Sequence, residues 1–144
     1  MEGWVSCRDE RWGFSVRHPA DWSSTTPPGR CAQLRKGVPS APHAVPEVDA
    51  SFRVDALRGS FPAGYLLEGA DSSKAHGVSY TDRTELTIAG HPAVRARFHT
   101  RGPVPNWGVE YAVRNGDLIL AAYISQPSPE VERQFDTVMS TLDW

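Results

Sequence analysis

Apolar and polar positions alternate with a period of two along most of this chain, and only its C-terminal segment follows a period of 3.6. Phe14-Ser-Val16-Arg-His18 alternates in the manner of a half-buried strand. Trp4 to Arg8 reads as a shorter strand before it, with a turn between them. Pro19 and Asp21 end the second strand, and Trp22 folds back as an apolar anchor. Cys31 to Arg35 gives another short strand with Ala32 and Leu34 on one face. Ser51 to Arg58 resumes the alternation, with Phe52, Val54 and Ala56 pointing one way and Arg53 and Asp55 the other. Further on, Glu85 to Ile88 and Ala93 to Phe98 are strands about the turn of residues 89–92. Val109 to Val113 and Leu118 to Ile124 flank Asn115-Gly116. Asn-Gly is a strong hairpin signal, because both central positions of a type I′ turn need positive φ. A two-residue loop at that place pairs Arg114 with Asp117, Val113 with Leu118 and Tyr111 with Leu120.

Two segments read as helices. Ser60-Phe61-Pro62 supplies a cap and a first-turn proline, and Tyr65, Leu66 and Ala70 give a modest apolar face before Gly77. Gly64 and Gly69 weaken that segment. The second helix opens at Ser128-Pro129-Glu130. Its residues Val131, Phe135, Val138, Met139 and Leu142 form one stripe, leaving Glu132, Arg133 and Asp136 outside it. That helix is expected to lie across the sheet. Residues 37–48 hold Pro39, Pro42 and Pro46 with His43 between them, a pattern that suits an exposed loop and excludes a central strand.

About seven or eight hairpin-connected strands with two helices define an α+β chain on an antiparallel sheet, and the absence of a strand–helix–strand rhythm disfavours a parallel one. The 144 residues suit a single domain over residues 1–144, and the 40% apolar and 22% charged fractions are those of an ordinary globular protein. A net charge of -2 gives no pull toward nucleic acid. No apolar run reaches the roughly 18–20 residues of a membrane span. Met1 to Glu10 is polar and lacks the apolar core of a signal peptide, which leaves both a cytoplasmic protein and an exported one shorn of its leader open.

The two cysteines, Cys7 and Cys31, are too few for a cysteine-only zinc site. Each sits in or next to an N-terminal strand, so a disulfide is possible if those strands are neighbours; two buried free thiols are the other reading. The histidines at 18, 43, 76, 91 and 99 show no metal-ligand spacing, and no phosphate loop, nucleophile elbow or zinc-protease motif occurs. No cofactor and no catalytic activity is expected on these grounds.

Trp12-Gly13-Phe14-Ser15-Val16-Arg17-His18-Pro19-Ala20-Asp21-Trp22 resembles the opening of PsbP-like domains, and Ile88-Ala-Gly90-His-Pro92-Ala93 is similar to their Gly-x-Pro-Ala turn. The closing order of a long hairpin and an amphipathic helix also matches, so the resemblance spans nearly the whole chain. It implies an antiparallel sheet layered with helices, an α/β/α sandwich of the Mog/PsbP-like type. It also implies a binding or accessory module in place of an enzyme, with a leaning toward secreted or lipid-anchored proteins. His18 stands where that family usually has Tyr, and the proline loop is longer. No functional residue is carried over.

Candidate binding residues come from the strand pattern. Period two places Arg95, Arg97, His99 and Arg101 on one face, opposite Val94, Ala96 and Phe98. Arg53 or Arg35 extends the patch if its strand is near. Guanidinium forks suit carboxylate or phosphate, so such a face fits an acidic protein partner or a small anion. The plainer reading is a solvated sheet face paired with Asp55, Glu85 and Glu110. The loop Arg101-Gly-Pro103-Val-Pro105-Asn-Trp107 is rigid and carries an aromatic and an arginine, a combination common at interfaces; its plainer reading packs Trp107 near Ile124. The function expected is a non-catalytic domain that contacts a protein partner. The alternative is a small-ligand carrier with a pocket between sheet and helices.

Overall fold

A computed structural model describes residues 2–37, 42, 44–57, 59–69 and 77–144. Along them run β1 (Trp4–Asp9), β2 (Phe14–Pro19), β3 (Ser23–Ser24), β4 (Gln33–Lys36), β5 (Val48–Ala56) and a 3-10 segment (Ala63–Gly69). There follow β6 (Val78–Ile88), β7 (His91–Thr100), β8 (Trp107–Asn115), β9 (Leu118–Ser125) and α1 (Pro129–Ser140). β1 and β2 form a separate two-stranded hairpin. The other strands make one seven-stranded sheet in the order β3-β4-β5-β9-β8-β7-β6, antiparallel throughout.

The expected strands and the C-terminal helix are present, and the molecule is dominated by its sheet. In place of helix layers on both sides, α1 and the β1–β2 hairpin cover one face, and the described part of the other cover is the 3-10 segment. Among the described residues, the mid-chain helix expected over residues 60–77 is found as that segment, broken at Tyr65, where φ is -120 and ψ 20. Gly64 and Gly69 bracket the break, and backbone freedom at glycine opposes a regular helix there. Residues 70–76, with His76, lie outside the described residues, as do 38–41 and His43 of the proline loop. That loop is not wholly exposed: Pro46 and Val48 are buried, and Val48 already belongs to β5.

The sheet buries two interiors. On the α1 side Phe14, Val16, Trp22, Leu34, Phe52, Tyr111, Leu120 and Ile124 pack with Val131, Phe135, Val138 and Met139. On the other side Val94, Ala96, Ala112 and Ile119 pack beneath Leu66 and Leu67 of the 3-10 segment. Alternate residues of β7 and β8 face different cores, as the pleat requires. α1 is set by its own sequence: the Ser128 hydroxyl accepts the Val131 amide, Pro129 occupies the first turn, and the predicted apolar stripe is buried.

Two turns differ from expectation. β8 and β9 pair Asn115 with Leu118 and Val113 with Leu120, so the loop is Gly116-Asp117. Only Gly116 has positive φ there, at 61, whereas a type I′ turn centred on Asn115-Gly116 needs it at both positions. The two-residue slip leaves every side chain on its expected face, because the period is two. The turn with positive φ at both positions is Ala89-Gly90, between β6 and β7. Gly108 has a different constraint: a Cβ there would lie 1.9 Å from the Ile124 carbonyl oxygen and 2.9 Å from the Phe98 ring.

Of the two readings left open for the cysteines, the bridge is found. Cys7 and Cys31 are disulfide-bonded with Cα atoms 5.7 Å apart, fastening β1 to the segment that enters β4. A bridge over such a loop is worth about 3 kcal/mol in the chain-entropy account. Beside it Asp9 accepts from the Trp12 amide at 3.0 Å, the Cys31 amide at 3.0 Å and Arg30 Nε at 2.9 Å. Burial pushes the Asp9 carboxyl up, but these donors outweigh it and hold it below its ordinary value.

Candidate functional site

Arg95, Arg97 and His99 do share one face of β7, as period two requires, while Arg101 lies just past the strand end. That face looks toward α1. Arg95 donates from Nε and Nη2 to Asp136 at 3.0 and 3.1 Å, and Arg97 from Nη1 and Nη2 to Glu132 at 2.7 and 3.1 Å. The Tyr111 hydroxyl joins the network, donating to Asp136 at 2.5 Å. The arginines are therefore paired with carboxylates one turn apart on the helix, and not with Glu85 or Glu110. Asp55 pairs instead with Arg53, Nε to Oδ2 at 3.0 Å. What the pattern could not show was which of the two strand faces the helix would cover.

The remaining members of the stripe gather at one end of the sheet. His99 and Trp107 are register partners across β7 and β8, both exposed, and Arg101 and Val104 are exposed in the connecting loop. Trp107, the first residue of β8, is 43% exposed and Val104 46%. The backbone under Trp107 is held firmly. Thr100 N–H donates to the Asn106 carbonyl at 2.8 Å, Asn106 N–H to Thr100 Oγ1 at 2.8 Å, and Trp107 N–H to Asn106 Oδ1 at 2.9 Å. Gln126 N–H donates to the Trp107 carbonyl at 2.8 Å, and Asn106 Nδ2 to Ser125 Oγ at 3.0 Å. An aromatic ring thus stands out from a braced loop, flanked by an arginine and a histidine.

Arg53 is elsewhere. It lines a cleft of about 520 Å³ between the β1–β2 hairpin and β5, with Arg11, Trp12 and Arg30 on the opposing rim. The sequence pattern did not single out these rim residues, although the adjacent pair Arg11-Trp12 at a hairpin turn was a visible signal. Glu110, read from the sequence as a partner of the solvated arginine face, is instead buried on the 3-10 side of β8. Its Oε1 accepts from the Tyr80 hydroxyl at 3.2 Å. Burial pushes its carboxyl up to about 7; the Tyr80 hydrogen bond opposes the shift and the nearby Glu68 carboxylate adds to it. Glu68 is itself paired with Arg83, which lies 4.6 Å from the Tyr65 ring centre and donates to the Gly64 carbonyl at 2.9 Å. No group of three or more His, Cys, Asp or Glu is gathered in metal-binding fashion among the described residues, and no helix there is long and apolar enough to cross a membrane.

Comparison with known proteins places the fold. The chain superposes on cyanobacterial PsbP from Synechocystis sp. PCC 6803 with a TM-score of 0.62 at 13% identity, covering 99% of this chain and 93% of that one. It matches a Pseudomonas aeruginosa protein of unknown function at 0.60 and 17% identity, over 98% and 96% of the two chains. LpqN of Mycobacterium tuberculosis, described as involved in cell envelope biogenesis, matches at 0.60 and 12% identity over 96% and 90%. No family model and no curated protein sequence matches the chain. The chain has a PsbP-like fold, as its opening and mid-chain motifs implied.

Proposed function

We propose that this chain is a non-catalytic binding or accessory domain that contacts a protein partner through the sheet end bearing His99, Arg101, Val104 and Trp107. The observation that carries the reading is Trp107, an exposed large aromatic whose backbone is fixed on both sides by hydrogen bonds. Such a ring loses little freedom on association, and Trp and Arg dominate interface energetics. LpqN's described part in envelope biogenesis is compatible with an accessory role on this fold, and says nothing of the partner. A small-ligand carrier is the second reading: the concavity between Tyr111 and Met139 of α1 is about 200 Å³, under the roughly 300 Å³ at which ligand pockets begin, whereas the hollow between Ala63 and Leu86 is about 360 Å³ and the cleft beside Arg53 about 520 Å³.

The test uses a photo-crosslinking residue at position 107, compared with one at the equally exposed Val5, in the native host. A protein captured only from position 107 is then purified and titrated against the wild type and Trp107→Ala. The expected outcome is at least about tenfold weaker binding with an unchanged melting temperature. Equal affinity for the two proteins would end this reading.

A further inference from the structure

The cleft beside Arg53 has a property that the surface at Trp107 lacks: it opens on the edge of a strand. Arg53, Val54, Asp55 and Ala56 all line it. Consecutive strand residues point to opposite faces, so four in a row can border one cleft only where it meets their edge. The registers agree. Leu57 N–H donates to the Asp117 carbonyl on the β9 side, and Phe52 N–H to the Ala32 carbonyl on the β4 side at 2.9 Å. Peptide groups of Phe52, Val54 and Ala56 therefore face β4. The β4 ladder, however, ends at Gln33–Ser51, and after Ala32 the chain turns away through Arg30, whose N–H bonds to the Pro27 carbonyl. Among the described residues, Val54 and Ala56 are left with no strand partner on that side.

The sheet's other long edge is guarded. β6 carries a bulge between Thr81 and Thr84, positive φ at Asp82, and the charged side chains of Asp82, Arg83 and Glu85. Those are the usual devices against strand pairing. Val54–Ala56 has no bulge and no positive φ, and its one charged side chain, Asp55, is paired with Arg53.

The cleft's polar groups suit a peptide better than a bare anion. Arg30 is taken by Asp9, and Arg53 stands 3.0 Å from Asp55. Arg11 has no carboxylate partner among the described residues and lies 5.1 Å from the Trp12 ring centre. Asp55 Oδ2 has the Arg53 guanidinium as its ion-pair partner, out of hydrogen-bond alignment. An arginine without a carboxylate partner therefore stands in the same cleft as unpaired backbone donors and acceptors. A simple anion would meet Arg11 but leave the strand's peptide groups unpaired; an extended peptide brings N–H and carbonyl groups as well as a carboxylate.

We propose that the free edge of β5 accepts an extended peptide segment of a partner as an added strand. It would hydrogen-bond to the peptide groups of Val54 and Ala56 and set an acidic side chain against Arg11. Four edge residues span roughly 10 Å, enough for one short strand and its main-chain ladder. This goes beyond the partner surface at Trp107 and does not depend on it.

A display library of random nonapeptides, selected against the full chain and read by amide chemical shifts, tests the proposal. Enriched peptides are expected to contain Asp or Glu and to shift the amides of Val54 and Ala56 and the Trp12 indole. Methylating the backbone nitrogen that pairs with the edge should weaken binding about tenfold. Arg11→Ala should weaken it further, and so should added salt. Ala56→Pro, which removes an edge N–H without costing a ladder bond, should act like the N-methyl peptide; the N-methyl arm stands even if that variant folds poorly. The proposal is overturned if no peptide is enriched or if N-methylation has no effect. Shifts confined to Trp107 would overturn it while leaving the partner surface intact. Succinate displacing the peptide at equal concentration would make the cleft a small-anion site and overturn it too.

Discussion

The two faces of the central sheet are closed in different ways. The α1 face is covered by a capped helix and a disulfide-anchored hairpin, and its polar border consists of satisfied pairs, Arg95 with Asp136 and Arg97 with Glu132. The opposite face is closed, among the described residues, by a short 3-10 segment over the smaller set Val94, Ala96, Ala112 and Ile119, and it encloses a carboxyl, Glu110, which accepts from the neutral Tyr80 hydroxyl. The first face resembles a packed core with its charges at the rim. The second buries a titratable group within a thinner layer, so its stability depends on the protonation of one side chain.

That contrast can be broken with truncations. Phe135→Ala should cost about 3–5 kcal/mol in urea unfolding, because a large ring at the centre of the thicker core leaves a cavity that α1 cannot fill. Leu66→Ala on the opposite face should cost about 2–3 kcal/mol. If the two costs were equal, the faces would not differ as described.

A pH series sharpens it. The folded chain keeps the Glu110 proton up to about pH 7, whereas the unfolded chain gives it up near its ordinary value. Folding therefore binds a proton between about pH 4.5 and 7, and the stability from this residue is full below that window and falls as pH rises through it. The decline should amount to about 1–3 kcal/mol relative to Glu110→Gln, whose pH profile lacks it. Parallel profiles for the two proteins would show that Glu110 is not held protonated. The smallest effect belongs to the α1 rim: a double-mutant cycle on Arg97 and Glu132 should give a coupling of about 0.2–1 kcal/mol that shrinks in salt, since both groups are partly solvated.

Much of this architecture was written in local pattern. Strand alternation placed Phe52 and Val54 correctly, and the cap at Ser128 with the stripe from Val131 to Leu142 located α1. Alternation assigns residues to two faces without saying that both will be covered, so Arg95 and Arg97 read as a solvated stripe until α1 was seen above them. The acids that pair with them were visible as Glu132 and Asp136, but pairing across 35 and 41 residues of chain depends on where the helix lands. The β5 edge was illegible for a similar reason. It exists because β4 stops at Gln33, and strand length was the least certain quantity in the pattern. Trp107 was identified as a candidate from composition of its loop, and its exposure follows from bonds made by Asn106 and Gln126 that no periodicity encodes.

Gly108 gives its neighbour an unequal fate. Any side chain at 108 would collide with the Ile124 carbonyl, so that position cannot drift, while the ring at 107 touches solvent and is free to change. A substitution at 107 can therefore change what the chain shows to the outside while the mount beneath it stays as it is.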